Sequence, residues 1–163
     1  MTRKHRCIEC GSTLTIRKGP RRYGHGVNVV LNNVEVRICG DCGEEYEVIP
    51  NIENLHKVIA TSLAKKPVRL TPGEIRFLRT YLGHSSQDFA EILGIRPETI
   101  TRWENPATGG MSSVAERFLR YAVLVGKPIT SYGLENIDTD PDELPQPPRF
   151  HAEDDGWVIA EAN

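Results

Sequence analysis

The chain has 163 residues and a mass of 18.3 kDa, with 39% apolar and 26% charged residues. That composition belongs to a globular protein of one ordinary domain or two small ones, and it excludes a fibre or a wholly disordered chain. The net charge of −2 conceals a division: residues 1–133 carry +6, while residues 134–163, with one arginine against nine acids, carry −8. A basic body suits a polyanionic partner, and a proline-bearing acidic tail suits solvent.

The N-terminus, Met1 to Cys7, is basic and lacks the apolar stretch of a secretory signal, and the longest apolar run, Tyr121 to Val125, is far too short to span a bilayer. These features predict a cytoplasmic protein with no membrane partner. In that compartment thiols stay reduced, so the spacing of the four cysteines decides their role.

Residues 1–49 read as short strands. Val27, Val29 and Leu31 alternate with other residues, Asn32-Asn33 supplies a turn, and Val34, Val36 and Ile38 alternate again, which predicts a β-hairpin. Ser12 to Arg17 offers a third strand, and the Gly- and Arg-rich stretch from Gly19 to Gly26 reads as a loop. From Pro50 to Ala64, Ile52, Leu55, Ile59 and Leu63 fall at helical spacings, predicting a connecting helix with linker over 50–66. Thr71-Pro72-Gly73-Glu74 has the form of a capping box and opens a helix that ends at Gly83. Two short helices follow, Ser86 to Leu93 and Pro97 to Glu104, with Ser86 as a cap, and a longer one covers Ser112 to Val125. Beyond Gly133 the chain buries too little apolar surface to offset its ordering entropy, so residues 134–163 are expected to be mostly disordered.

Cys7-Ile8-Glu9-Cys10-Gly11 and Cys39-Gly40-Asp41-Cys42-Gly43 are two C-x-x-C-G knuckles 28 residues apart. Each places two sulfurs about one metal radius apart, the glycine lets backbone N–H groups turn back toward sulfur, and two knuckles complete a tetrahedron. Cys7, Cys10, Cys39 and Cys42 are therefore the expected ligands of one structural Zn2+ per chain. Four protein ligands leave no position for water, which disfavours zinc hydrolase chemistry. A single iron, as in rubredoxin-like electron carriers, is the competing occupant. His5 and His25 lie near this site and read as exposed loop histidines.

Ser86 through Glu104 carries a second constellation. Ala90 is small where two helices cross, Gly94 can take the positive φ that ends the first, and Ile95, Ile100 and Trp103 fasten the second to it. This predicts a helix-turn-helix, with an ordinary helical hairpin as the alternative. With Ile100 and Trp103 facing inward, Glu98, Thr101, Arg102 and Asn105 face outward as the candidate major-groove surface, with Thr99 on the flank. Arg102 suits a guanine edge, since a guanidinium engages O6 and N7 together. Gln87 sits at the start of the first helix, where it could hold a phosphate of double-stranded operator DNA. Lys65, Lys66, Arg69, Arg76 and Arg79 flank the motif as candidate phosphate neutralisers or a solvated charged face. The helix from Ser112 has an apolar arc from Val114 to Val125 wider than one small core requires. That predicts either a homodimer through this region or a single long core helix.

In this order, knuckles first and helix-turn-helix second, the chain resembles the MqsA (YgiT-type) antitoxin family of bacterial toxin-antitoxin systems over about residues 7–130. Residues Val34 to Glu45 look like that family's second zinc knuckle, and Gln87 through Glu104 look like its XRE/Cro-type DNA-binding half. The resemblance implies that the zinc half binds a cognate toxin, often an mRNA-cleaving ribonuclease, while the C-terminal half dimerises and represses the shared operon. It implies that Arg102 reads bases. Where a family member has asparagine near the start of the recognition helix, this chain has Glu98, an acid that repels phosphate and accepts from cytosine N4, so a different operator is expected. The acidic tail lies outside the resemblance.

The expected fold is two small domains: a zinc-bound β-hairpin module of α+β character over 1–49, and an all-α helix-turn-helix domain of five-helix type over 67–133. No Ser/His/Asp arrangement, P-loop or dinucleotide fingerprint appears, so no enzymatic activity is expected. Besides an antitoxin-repressor, the sequence admits a helix-turn-helix regulator without a toxin, an iron electron carrier, and a protein-interaction module.

Overall fold

The computed structural model describes residues 5–24 and 26–127, together with the backbone of 150–153 and 156–159. The architecture is α+β. A three-stranded antiparallel sheet, β1 (Leu14–Tyr23), β2 (Val29–Cys39) and β3 (Glu45–Val48), is ordered β1-β2-β3. Five helices follow: α1 (Ile52–Ala64), α2 (Pro72–Tyr81), α3 (Ser86–Ile92), α4 (Pro97–Trp103) and α5 (Ser113–Val125).

The sheet corrects two expectations. Asn32-Asn33 is not a turn but lies inside the continuous strand β2, and residues 19–23 are strand rather than loop. Gly19 pairs with Val34 and Arg21 with Leu31, so two residues of β2 face Pro20 alone. This is a β-bulge, with Asn33 at φ 60° taking the extra residue. Pro20 has no N–H to donate, so the break in the ladder falls where β1 could not have completed it. The bulge shifts the inward phase from Val29 and Leu31 to Val34 and Val36, the change of phase that had suggested a turn. The third strand expected at 12–17 is present as the first half of β1, and β3 pairs with β2 through Arg37 opposite Tyr46.

The helices follow their local signals. Asn51 caps α1, and Thr71 and Glu74 form the capping box of α2. Ser112 caps α5, and Gly126 ends it at φ 67°. At α3 the cap is Ser85, not Ser86: Ser85 Oγ accepts from the Asp88 N–H at 3.1 Å, and Asp88 Oδ2 accepts from the Ser85 N–H at 3.0 Å.

One apolar cluster joins the helices and the end of the sheet farthest from the cysteines. It runs from Tyr23 and Val27 through Ile59, Leu63, Ile75, Leu78, Phe89, Ile100 and Leu119. The helix expected as a connector, α1, thus contributes Ile59, Ala60, Leu63 and Ala64 to this core and packs on α5. Tyr23 Oη lies 2.5 Å from His56 Nε2, and His56 meets Phe77 edge-on. Gly73, in the first turn of α2, lies so close to the β1-β2 connection that a Cβ there would stand 1.9 Å from the Gly26 carbonyl oxygen.

Two short strands lie within the acidic tail. Phe150–Glu153 (β4) and Gly156–Ile159 (β5) pair antiparallel, with Phe150 opposite Ile159. Trp157, Val158 and Ile159 give β5 high strand propensity, whereas β4 has only Phe150 of that kind. The rest of the tail, and His25, lie outside the described residues.

Candidate metal centre and nucleic-acid interface

The ends of β1 and β2 bring the two knuckles together in matching conformations. The Cys7 N–H donates to the Ser12 carbonyl at 2.8 Å and the Cys39 N–H to that of Glu44 at 2.9 Å. The Gly11 and Gly43 N–H groups close each turn onto Cys7 and Cys39, with φ of 75° and 79° that only glycine adopts readily. All four sulfurs lie within 4.8 Å of one another, with Cys7 and Cys42 at 3.5 Å and Cys10 and Cys39 at 3.4 Å. A tetrahedral zinc with bonds of about 2.3 Å needs sulfurs about 3.8 Å apart, so the set fits one tetrahedral ion. Cys7 and Cys39 are buried and Cys10 and Cys42 exposed.

The electrostatics match the geometry. The Tyr46 hydroxyl, 3.4 Å from Cys7 Sγ, together with the Cys10 backbone N–H, lowers the Cys7 thiol to about 6. The Ser12 N–H and hydroxyl lower Cys10. At Cys42 the Glu44 N–H favours the thiolate, but the neighbouring sulfurs of Cys39 and Cys7 outweigh it and push the thiol up to about 12. Without a cation, four thiolates cannot share this space; a dication removes that repulsion. Tyr46 was not singled out in the sequence. Its signal was weak, an aromatic four residues past the second knuckle, on a strand that the turn-based reading left unassigned.

In the helical half, α3 and α4 form the expected helix-turn-helix. Gly94 sits at φ 62°, the Ile95 N–H donates to the Ala90 carbonyl at 3.0 Å, and Pro97 opens α4. Phe89, Ala90, Ile100 and Trp103 are buried. Gln87, Glu98, Thr101, Arg102 and Asn105 are exposed and Thr99 half-buried, as the angular reading predicts. Thr101 Oγ1 donates to the Pro97 carbonyl, and Asn105 Oδ1 accepts from the Ala107 N–H at 2.9 Å, which leaves the Asn105 amide as a donor. The Arg102 guanidinium has no hydrogen bond or ion pair with another described residue.

Of the flanking cations only Arg79 is withdrawn from solvent; Arg69 and Arg76 stay exposed, as a solvated charged face requires, but each, like half-buried Lys66, is also tied to a buried acid. Arg79 is buried and bidentate on Glu104, and its remaining nitrogen reaches the His84 carbonyl at 2.6 Å. Arg76 binds the same carboxylate at 3.0 Å. Lys66 pairs with Glu74, and Arg69 with Glu116. Lys65 alone of the five is exposed and outside these pairs. Each acid is buried, and a buried carboxylate needs a cation more than the surface needs another charge. Glu116 also takes the Leu70 N–H and Arg120, whose guanidinium reaches the carbonyls of Leu63, Ala64, Lys66 and Val68 and so caps the end of α1. Burial works against the Glu116 carboxylate, but these donors hold it below its usual range.

A groove of about 1130 Å3 lies beside α4, lined by Gly26, His56, Thr71, Arg76, Thr101 and Asn105 among others, so the β1-β2 connection borders the outward face of the second helix. No helix among the described residues is long and apolar enough to cross a membrane. No protein-family model matches the chain, and neither a curated protein nor a solved structure matches it.

Proposed function

We propose that the chain is a DNA-binding transcriptional repressor held together by one structural zinc, and that its specific role is that of an antitoxin regulating a toxin-antitoxin operon in the cytoplasm. The observation that carries the DNA reading is the exposed row Glu98, Thr101 and Arg102 on α4, whose other face, Ile100 and Trp103, is buried, with exposed Asn105 just past the end of the helix. A short helix held by its inner face, with a guanidinium outward and an amide just beyond its end, suits a major groove. In this reading the chain works as two small functional units, the zinc sheet and the helix-turn-helix half, and two copies meet a two-fold operator. The zinc sheet, rather than the helices, grips the toxin, and no catalysis is involved. Zinc would be held by Cys7, Cys10, Cys39 and Cys42, where it supplies charge and cross-linking and no chemistry.

The experiment is titration of operator fragments from upstream of the chain's own reading frame across a salt series. Affinity should fall steeply with salt, and Arg102→Ala should abolish sequence preference with the fold intact. Salt-independent binding, or none at any sequence, overturns the reading. Co-purification with the product of the adjacent reading frame tests the antitoxin role separately. Binding of DNA without any such partner favours a helix-turn-helix regulator that has no toxin.

A further inference from the structure

The outward face of α5 is apolar although nothing described packs on it. At about 100° per residue, Val114, Tyr121 and Val125 fall within about 40° of one another, flanked by Leu124 and Arg117, opposite the buried Leu119 and Val123. Their exposures are 76% for Val114, 67% for Tyr121, 48% for Leu124 and 37% for Val125. A helix of this kind, apolar on both sides, needs a second cover.

The chain leaves α5 at Gly126, at the end of this stripe, and residues 128–149 then lead to the β4-β5 hairpin. That span, about 70 Å when extended, far exceeds the roughly 20 Å length of α5. Phe150 opposes Ile159 and Ala152 opposes Trp157, and the two-residue period of a strand puts these four residues on one face. Two strands of four residues do not hold together alone in water without an apolar face to rest on. In sequence the acidic run Glu153-Asp154-Asp155 joins β4 to β5, and its charge complements Arg117 at the flank of the stripe.

We propose that the β4-β5 hairpin docks in cis on the α5 stripe of its own chain, the Phe150-Ala152-Trp157-Ile159 face covering Val114, Tyr121, Leu124 and Val125. The acidic tail is then a strap carrying a cover, and a second copy that paired through this face would first displace it.

The test uses the full-length, metal-loaded chain. It has two tryptophans, so the difference between its emission and that of Trp157→Phe is the spectrum of Trp157. That emission should lie to the blue of indole in water. It should move red in Tyr121→Asp/Leu124→Asp and stay unchanged in the control Val30→Asp and on hundredfold dilution. A water-like spectrum in the native chain overturns the proposal, as does a blue spectrum indifferent to the stripe. A blue spectrum lost on dilution places the hairpin on another copy and overturns the cis reading. Because substitution in α5 could disturb the helix, Trp157→Asp gives a second reading. It should bare the stripe and shift sedimentation toward a dimer, and sedimentation identical to the native chain counts against the proposal.

Discussion

Arg79 on α2 donates twice to the Glu104 carboxylate at the end of α4, at 2.6 and 3.0 Å, with both side chains almost wholly out of water. An acid at the C-terminal end of a helix opposes the helix dipole, so Glu104 is tolerated there because two arginines of α2 reach it. The pair fixes the second helix of the helix-turn-helix at its far end, while Ile100 and Trp103 fix its underside.

Breaking this pair should therefore cost more than a surface ion pair. Arg79→Ala leaves a carboxylate buried beside Arg76 alone, and the expected loss is about 3–5 kcal/mol, against at most about 1 kcal/mol for the exposed Arg21–Glu47 pair. Urea unfolding of Arg79→Ala and Arg21→Ala side by side checks the ranking. Equal losses would mean that the buried pair adds nothing.

Gly73→Ala tests the seat between sheet and helices. The added methyl would meet the Gly26 carbonyl, which is backbone and cannot swing aside, so the β1-β2 connection must lift from α2. An overpacking cost of about 1–3 kcal/mol is expected. Faster hydrogen exchange should appear at Tyr23 and Val27 while α3 and α4 keep their protection. Exchange unchanged around Tyr23 would show that the seat yields without strain.

The parts of this architecture that were legible beforehand are those written in local chemistry. The knuckles, the Thr71 capping box, the Gly94 turn and the outward set on α4 each depend on residues within one short segment. The bulge at Pro20 and Asn33 was not legible, because a change of alternation looks the same for a turn and for an inserted residue until the partner strand is known. Arg79–Glu104 and Glu116–Arg120 escaped for a related reason. Charged residues are solvated by default, and only the packing of α1, α2, α4 and α5 shows which acids are enclosed. Tyr46 escaped because its value lies in standing beside Cys7, 39 residues away.

Removal of the metal should act on one end of the molecule. Val34, Val36, Cys7 and Cys39 are buried apart from the cluster shared with the helices, so the sheet near the knuckles has little besides the metal to hold it. A chelator should abolish protection in residues 5–18 and 34–48 while α2 to α5 stay helical. Mass spectrometry under native conditions should find one zinc per chain, and the protein should be colourless; a red protein would indicate iron. Unchanged protection after complete metal removal would refute the stapling role.

His84 should make the helical half sensitive to acid. Its ring is stacked on Phe89, and Nε2 is buried without a hydrogen-bond partner among the described residues. Burial lowers the imidazole from its ordinary value of 6.5; Asp88 opposes the shift and Arg79 adds to it. The folded chain thus declines a proton that the unfolded chain accepts below pH 6.5, so stability is greatest above that value and falls as the pH drops toward the folded pKa. His84→Phe keeps the ring on Phe89 and the backbone carbonyl that Arg79 uses, and removes the titration. Between pH 7 and 5 the unfolding free energy of the native chain should fall more steeply than that of the variant. Parallel slopes would mean that His84 takes up its proton as readily in the fold as outside it.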